Sequence, residues 1–293
     1  MTSKQLEIST KVDLQWKNLR NNIKERNGPA LPTEKKYPIS LDGESISIRK
    51  GWATNEWLKF MPINVNDYDL IAGNLIIWDD GQNIPFEYWR PNELVRFGWN
   101  HPGHCAPNFT SFLNGGLKQI QNEIDEKIWE IEASENQPRI DFLKGCHLAL
   151  EGVSAYKDRL IKVYEAAHNA DTNLILRISK IGEGNVDNLP QALQDIWFLH
   201  HILQNCGTPS AIGRIDQLLS QYWKNDVESN DISEQEAQLW INSFLLKFSE
   251  RTQCGINSRS KADTGFQNMV IGGIDEKGNR VDNEITLAVL NFL

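Results

Sequence analysis

Residues 189–204 read Leu-Pro-Gln-Ala-Leu-Gln-Asp-Ile-Trp-Phe-Leu-His-His-Ile-Leu-Gln, and this stretch decides how the chain folds. Ala192, Leu193, Ile196, Trp197, Phe198, Leu199, Ile202 and Leu203 leave almost no polar side on the helix it predicts. A helix apolar all round is buried rather than laid on a surface. Asn188 stands in the N-cap position and Pro190 in the first turn, where its missing N–H costs nothing. His200 and His201 therefore sit in apolar surroundings. Adjacent helical residues point about 100° apart, so the two rings cannot chelate one ion. One of them is expected to face the core. Either it is a hydrogen-bonded core histidine, or it lines a closed pocket where burial keeps it neutral.

Further helices flank this one. Val12, Trp16, Leu19 and Ile23 share a face of a first helix that stops at Gly28-Pro29. From Pro29 to Asn100 the pattern breaks into short apolar runs, such as Asn74–Trp78, among Gly, Pro, Asn and Asp. That reads as irregular structure with brief strands. After Pro107, Phe109, Phe112, Leu113, Leu117, Ile120, Ile124, Ile128 and Ile131 recur every three or four residues in an amphipathic helix. Gly115-Gly116 inside it predicts close approach of another backbone, since each glycine weakens a helix by about 1 kcal/mol. A long helix from about Ile140 to His168 carries Phe142, Cys146, Leu150, Val153, Tyr156, Leu160, Val163 and Tyr164. Ser233 and Glu236 form a capping box, with Ile232 as staple, for a helix burying Leu239, Trp240, Phe244, Leu245 and Phe248. Gln267–Gly273 reads as a short buried strand ending in a glycine turn.

A last helix from about Asp282 has two apolar stripes. Ile285, Ala288, Val289 and Phe292 form one, and Leu287, Leu290 and Leu293 the other. An outer leucine face with nothing after it in the sequence predicts self-association, or a partner chain that covers it.

The bulk properties bound the answer. The 293 residues carry 30 Lys and Arg against 39 Asp and Glu, a formal charge of −9, which argues against a nucleic-acid binder. With 40% hydrophobic residues a packed core is within reach. No apolar run approaches the ~18 residues of a membrane span, and MTSKQLEISTK is no signal peptide. Cys105, Cys146, Cys206 and Cys254 form no CxxC pair, so a reducing cytoplasm is expected. Ten tryptophans, five of them (Trp52, Trp57, Trp78, Trp89, Trp99) between residues 52 and 99, read as packing residues. His101 and His104 could share a metal by spacing, yet no third and fourth ligand stands at a recognisable interval, so no metal is expected.

Four segments in order carry a resemblance. They are Gly103-His104-Cys-Ala-Pro107 with Leu113-Asn-Gly-Gly-Leu117; Leu193–His200; Gly213-Arg214-Ile-Asp216-Gln-Leu; and Gln267–Asp275 with Asn283-Glu-Ile-Thr-Leu287. Together they resemble the N-terminal part of a glycyl radical enzyme of the pyruvate formate-lyase type, the family of choline trimethylamine-lyase and the glycerol and propanediol dehydratases. The resemblance implies an α/β, helix-rich fold: the N-terminal portion of a ten-stranded β/α barrel, here incomplete. Residues 1–293 would form one such domain, with 1–100 irregular and Trp-rich and 101–293 a helical half-barrel.

In the family a glycyl radical oxidises a cysteine inside the barrel, and the thiyl radical takes hydrogen from substrate. A radical S-adenosylmethionine activating enzyme makes the glycyl radical. The family's Cys-x-Glu is matched by none of the four cysteines, and Arg280-Val-Asp-Asn283 lacks the glycine of Arg-Val-x-Gly. No catalytic residue and no cofactor is therefore assigned to these residues. The resemblance carries over only a pocket wall: His104 from the Gly-His-x-x-Pro segment and His200 from the Trp-Phe-x-His helix, both near substrate. Arg214 and Asp216 match a Gly-Arg-x-Asp segment and read as a structural ion pair, with a pocket role as the alternative. The expected function is the N-terminal portion of a glycyl radical lyase or dehydratase, inactive alone, complemented by a C-terminal half chain. A non-catalytic binding protein on the same scaffold is the alternative.

Overall fold

The central helix is where the sequence places it, and two hydrophobic cores among the described residues meet along it. The computed structural model describes residues 2–25, 43–75, 105–132, 136–206, 208, 210–249 and 267–293. Among these are nine α-helices and a two-stranded parallel sheet: α1 (Ser3–Glu25), α2 (Ile46–Phe60), α3 (Phe109–Glu132), α4 (Gln137–Glu165), α5 (Thr172–Lys180), α6 (Leu189–Asn205), β1 (Gly213–Arg214), α7 (Ile215–Glu228), α8 (Glu234–Ser249), β2 (Met269–Val270) and α9 (Glu284–Phe292). Asn188 caps α6, its side chain accepting the Gln191 N–H at 2.9 Å. Leu193, Ile196 and Trp197 of α6 face a core shared with α1, α7, α8 and α9. Phe198, Ile202 and the following Cys206 face a second core built with α2, α4 and α5.

The sheet is short but its direction is informative. Gly213 pairs with Met269 and Arg214 with Val270 in parallel register. A single parallel bridge between Cys105 and Ser210 adds a third strand position on the other side of β1. Each strand position is followed by helix: Cys105 by α3, β1 by α7, and β2, after a loop, by α9. This repeat of strand and helix around a parallel ladder is that of a β/α architecture, because parallel neighbours need a crossover to return to the same end.

Several expectations need correcting. The stretch after Pro29 is not irregular throughout, since α2 lies within it, capped by the Ser45 side chain. Helices α5 and α7 lie in stretches for which the sequence reading gives no helix. Trp16 stands outside the buried face of α1, which is instead Gln5, Ile8, Val12, Gln15 and Leu19. Gln15 is buried because it exchanges two hydrogen bonds with Ser243 of α8. Phe142 is exposed, as is Val270 of the strand expected to be buried. Leu75, the last described residue of the Asn74–Trp78 run, is buried but lies in no strand; Ile76, Ile77 and Trp78 lie outside the described residues.

The last helix follows the two-stripe reading. Asn283 and Thr286 form its capping box. Ile285, Ala288 and Val289 are buried, while Leu287 and Leu290 are 62% and 53% exposed. Lysines at Leu287 and Leu290 are therefore expected to leave the melting temperature unchanged and to lower the mass seen by light scattering. Unfolding by these substitutions would mean the face is covered.

Candidate functional site

Both histidines of α6 are fully buried, not one, and they look in different directions. His201 Nδ1 lies 3.0 Å from the Trp197 carbonyl oxygen, which can only accept, so Nδ1 carries the proton. Burial pulls its pKa down to about 3, with Lys247 and His200 lowering it further against the Trp197 bond. The ring is thus neutral, and its bare Nε2 accepts the Tyr156 hydroxyl at 3.1 Å. Burial pushes the Tyr156 phenol up, so it stays a donor.

His200 points the other way, toward the strands. Its Nε2 lies 3.0 Å from Gln267 Oε1, and Nδ1 lies 3.4 Å from Ser210 Oγ. The amide of Gln267 is oriented by its own bond from Nε2 to the Phe248 carbonyl at 3.3 Å, which leaves Oε1 for the imidazole. Trp197 and Phe248 cover the His200 ring, with centroids 5.8 and 5.0 Å away. His104, the other half of the expected pocket wall, lies outside the described residues, as does His101. Its neighbour Cys105 bridges to Ser210, the residue that touches His200. Among the described residues no group of His, Cys, Asp and Glu could hold a metal ion.

Arg214 and Asp216 do not pair with each other. Both hold the same glycine turn from two sides: Arg214 donates to the Gly272 carbonyl at 2.8 Å, and Asp216 Oδ2 accepts the Gly272 N–H at 2.5 Å. Asp216 is fully buried and also accepts from Gln217 N–H and the Thr286 hydroxyl. The Asn283 amide donates to the Asp216 carbonyl oxygen. A carboxylate at the first turn of α7 satisfies orphan N–H groups and suits the helix dipole. It thereby joins β2, α7 and α9. The motif spacing marks these residues and the glycine turn is legible at the end of Gln267–Gly273, but nothing local ties the two together across 56 to 58 residues.

Sequence reasoning also missed two sets of α6 contacts. Gln194 clamps the extended segment before residue 76, accepting the Ala72 N–H at 2.8 Å and donating to its carbonyl at 3.2 Å. Trp197 Nε1 donates to the Gly73 carbonyl, and Asn205 to that of Asn74. One helix thus supplies an edge of donors and acceptors that a strand would otherwise provide. The second set is Asp195, fully buried, which accepts the Gly182 N–H at 2.8 Å and the Gln191 amide at 2.5 Å.

Burial lifts the Asp195 carboxyl to about 6 despite those two bonds. The folded state then holds a proton that the unfolded chain, with a carboxyl near 4, has released. Stability should fall by about 3 kcal/mol as pH rises from about 4 to 6, and level off above. Asp195→Asn should abolish that slope in denaturant titrations, at the cost of one mismatched hydrogen bond. A slope of the same size in the variant would refute the assignment.

Comparison with known proteins agrees with this architecture. The family model described as PFL-like, pyruvate formate lyase-like, matches residues 96–293. The chain belongs to this family. Among curated relatives, "Probable dehydratase YbiW" of Escherichia coli K12 is 29% identical over 207 residues, covering 64% of this chain and 26% of its own length. The (2S)-3-sulfopropanediol dehydratase of Klebsiella oxytoca is 24% identical over 207 residues, covering 64% of this chain and 25% of its own. The chain thus spans about a quarter of these relatives. Among solved structures, the glycerol-bound B12-independent glycerol dehydratase of Clostridium butyricum superposes with a TM-score of 0.74 at 19% identity. That match takes in 97% of this chain and 45% of the dehydratase. The pyruvate formate lyase-like fold therefore runs through nearly the whole chain, including the helices before residue 96. No helix among the described residues is long and apolar enough to cross a membrane.

Proposed function

We propose that these 293 residues are the N-terminal portion of a glycyl radical dehydratase or lyase and build one wall of its barrel. The observation that carries this reading is the fold match to a dehydratase over almost the whole chain, joined to the family match over residues 96–293. The relatives' names favour removal of a hydroxyl or similar leaving group from a small polar molecule. The radical would be protein-derived, so no bound cofactor is assigned to this portion. The residues that generate and relay it, a Cys-x-Glu and an Arg-Val-x-Gly, are absent from these 293 positions. A complementing C-terminal portion would supply them, and a radical S-adenosylmethionine activating enzyme would be the partner of the complete protein. What this portion contributes is a dry, rigid wall, which matters because a carbon radical must be kept from water and oxygen.

The test is electron paramagnetic resonance. Incubated anaerobically with an activating enzyme and S-adenosylmethionine, this chain alone should give no glycyl doublet. Fused to the remaining sequence of its Escherichia coli relative, it should give one. A doublet from the chain alone, or none from a fusion that folds, would overturn the proposal.

A further inference from the structure

His200 meets the strands at their N-terminal ends. Its two hydrogen-bond partners, Ser210 and Gln267, stand three residues before β1 and two before β2. Both strands run away from the histidine in parallel, toward Arg214 and the Gly272 turn. In β/α sheets ligands collect at the C-terminal ends of parallel strands, whereas the N-terminal ends are packed for stability. The imidazole is fully buried, the Trp197 and Phe248 rings pack against it at a tilt, and both nitrogens have protein partners.

We infer that His200 is a positioning residue: it ties α6 to the starts of both strands and so sets where their far ends, with Arg214 and Gly272, stand. It does not touch substrate. This rests on the barrel reading above but reverses the role that the resemblance assigns to this side chain. The chain of contacts is short. His200 holds Gln267; one residue on, the Asn268 carbonyl accepts the N–H groups of Ile212 and Gly213. On the other side His200 meets Ser210, and the adjacent Ala211 N–H donates to the Cys105 carbonyl. All three strand positions are thus registered within one or two residues of the imidazole's partners.

The experiment uses the full chain and needs no activity, so it stands whether or not radical chemistry is found. His200→Leu keeps the bulk and removes both ring nitrogens. Amide hydrogen exchange at Ala211, Ile212 and Gly213 should rise about ten-fold or more, while Leu117 and Asn185, at the distant α3 crossing, stay within about two-fold. Gln267→Leu should reproduce that pattern from the other side, and decides the matter if His200→Leu does not fold. His200→Gln, which keeps a donor toward Gln267, should restore most of the protection. In the unmodified chain, diethylpyrocarbonate should label the exposed His168 and spare His200, and glycerol, as a diol probe, should not shift the His200 ring signals. Unchanged strand exchange in both leucine variants, labelling of His200 at the rate of His168, or a glycerol-dependent shift of its ring would each overturn the proposal.

Discussion

Gly145→Ala is expected to destabilise the chain by about 3 kcal/mol, a large part of the stability of any single domain. Helices α2 and α4 cross so closely that a Cβ on Gly145 would lie 2.3 Å from the Ser47 carbonyl oxygen. One on Gly51 would lie 2.0 Å from the carbonyl oxygen of Gly145 itself. The atoms met are helix backbone, so neither can turn aside as a flexible side chain would. The helices must separate, and Ala53, Trp57, Val153 and Tyr156, buried along the same seam, lose contact together. Alanine favours a helix over glycine by about 1 kcal/mol, which works against this loss without reversing it. Urea unfolding monitored by circular dichroism measures the effect as a lowered midpoint at unchanged slope. A Gly145→Ala protein as stable as its parent would mean that α2 and α4 do not meet here.

Gly116→Ala should cost a comparable amount, about 3 kcal/mol, for a different reason. Gly116 has φ +68° and ψ −170°, a region that side-chain-bearing residues scarcely enter, and it breaks α3 into two segments. A Cβ there would also lie 2.2 Å from the Gly182 carbonyl, the group that accepts the Leu117 N–H at 2.8 Å. Asn185 and Val186 complete the crossing by donating to Asn114 and Leu113. Its neighbour Gly115 supplies the control. The nearest atoms to a Cβ at Gly115 all belong to the Gln119 side chain: its amide end, at 1.9 and 2.4 Å, can swing away, while Gln119 Cβ, at 2.9 Å, has to shift slightly. Gly115→Ala is therefore expected to cost clearly less than Gly116→Ala, since no backbone blocks it and helix propensity offsets part of the shift. Equal effects at the two glycines would contradict the kink.

These two glycine positions differ in how much of them the sequence discloses. Gly115-Gly116 interrupts a strong helical period, so a close approach at that point is legible, although which glycine kinks is not. Gly51 offers no such contrast. The buried face of α2 is Gly51, Ala53, Asn55, Trp57 and Leu58, mostly small or polar, and a helix that packs through glycine shows no apolar stripe. Helix α5 had signals that could have found it: Asp171 at the N-cap, and Leu174 with Ile178 one turn apart. The stripe Ile215, Leu219, Tyr222 and Trp223 of α7 is equally periodic. At the site, sequence marks His200, Arg214 and Asp216, and Gln267, Gly272 and Thr286 within later segments, but not which of them meet, because the partners lie 56 to 70 residues apart. Burial on nearly all sides of α6 is legible from its composition. Which end of the strands it supports is set only by the direction of the ladder.

That ladder is the central claim, since the barrel reading and the role of His200 both depend on it. Scalar couplings across hydrogen bonds, measured by nuclear magnetic resonance on deuterated protein, test it most directly. The structure requires the Ala211 N–H to couple to the Cys105 carbonyl carbon, and the Ile212 N–H to that of Asn268. Observing both would establish three adjacent strand positions in the order 105, 210–214, 269–270. Couplings of Ala211 or Ile212 to other carbonyls, or an antiparallel pattern between these segments, would contradict the account.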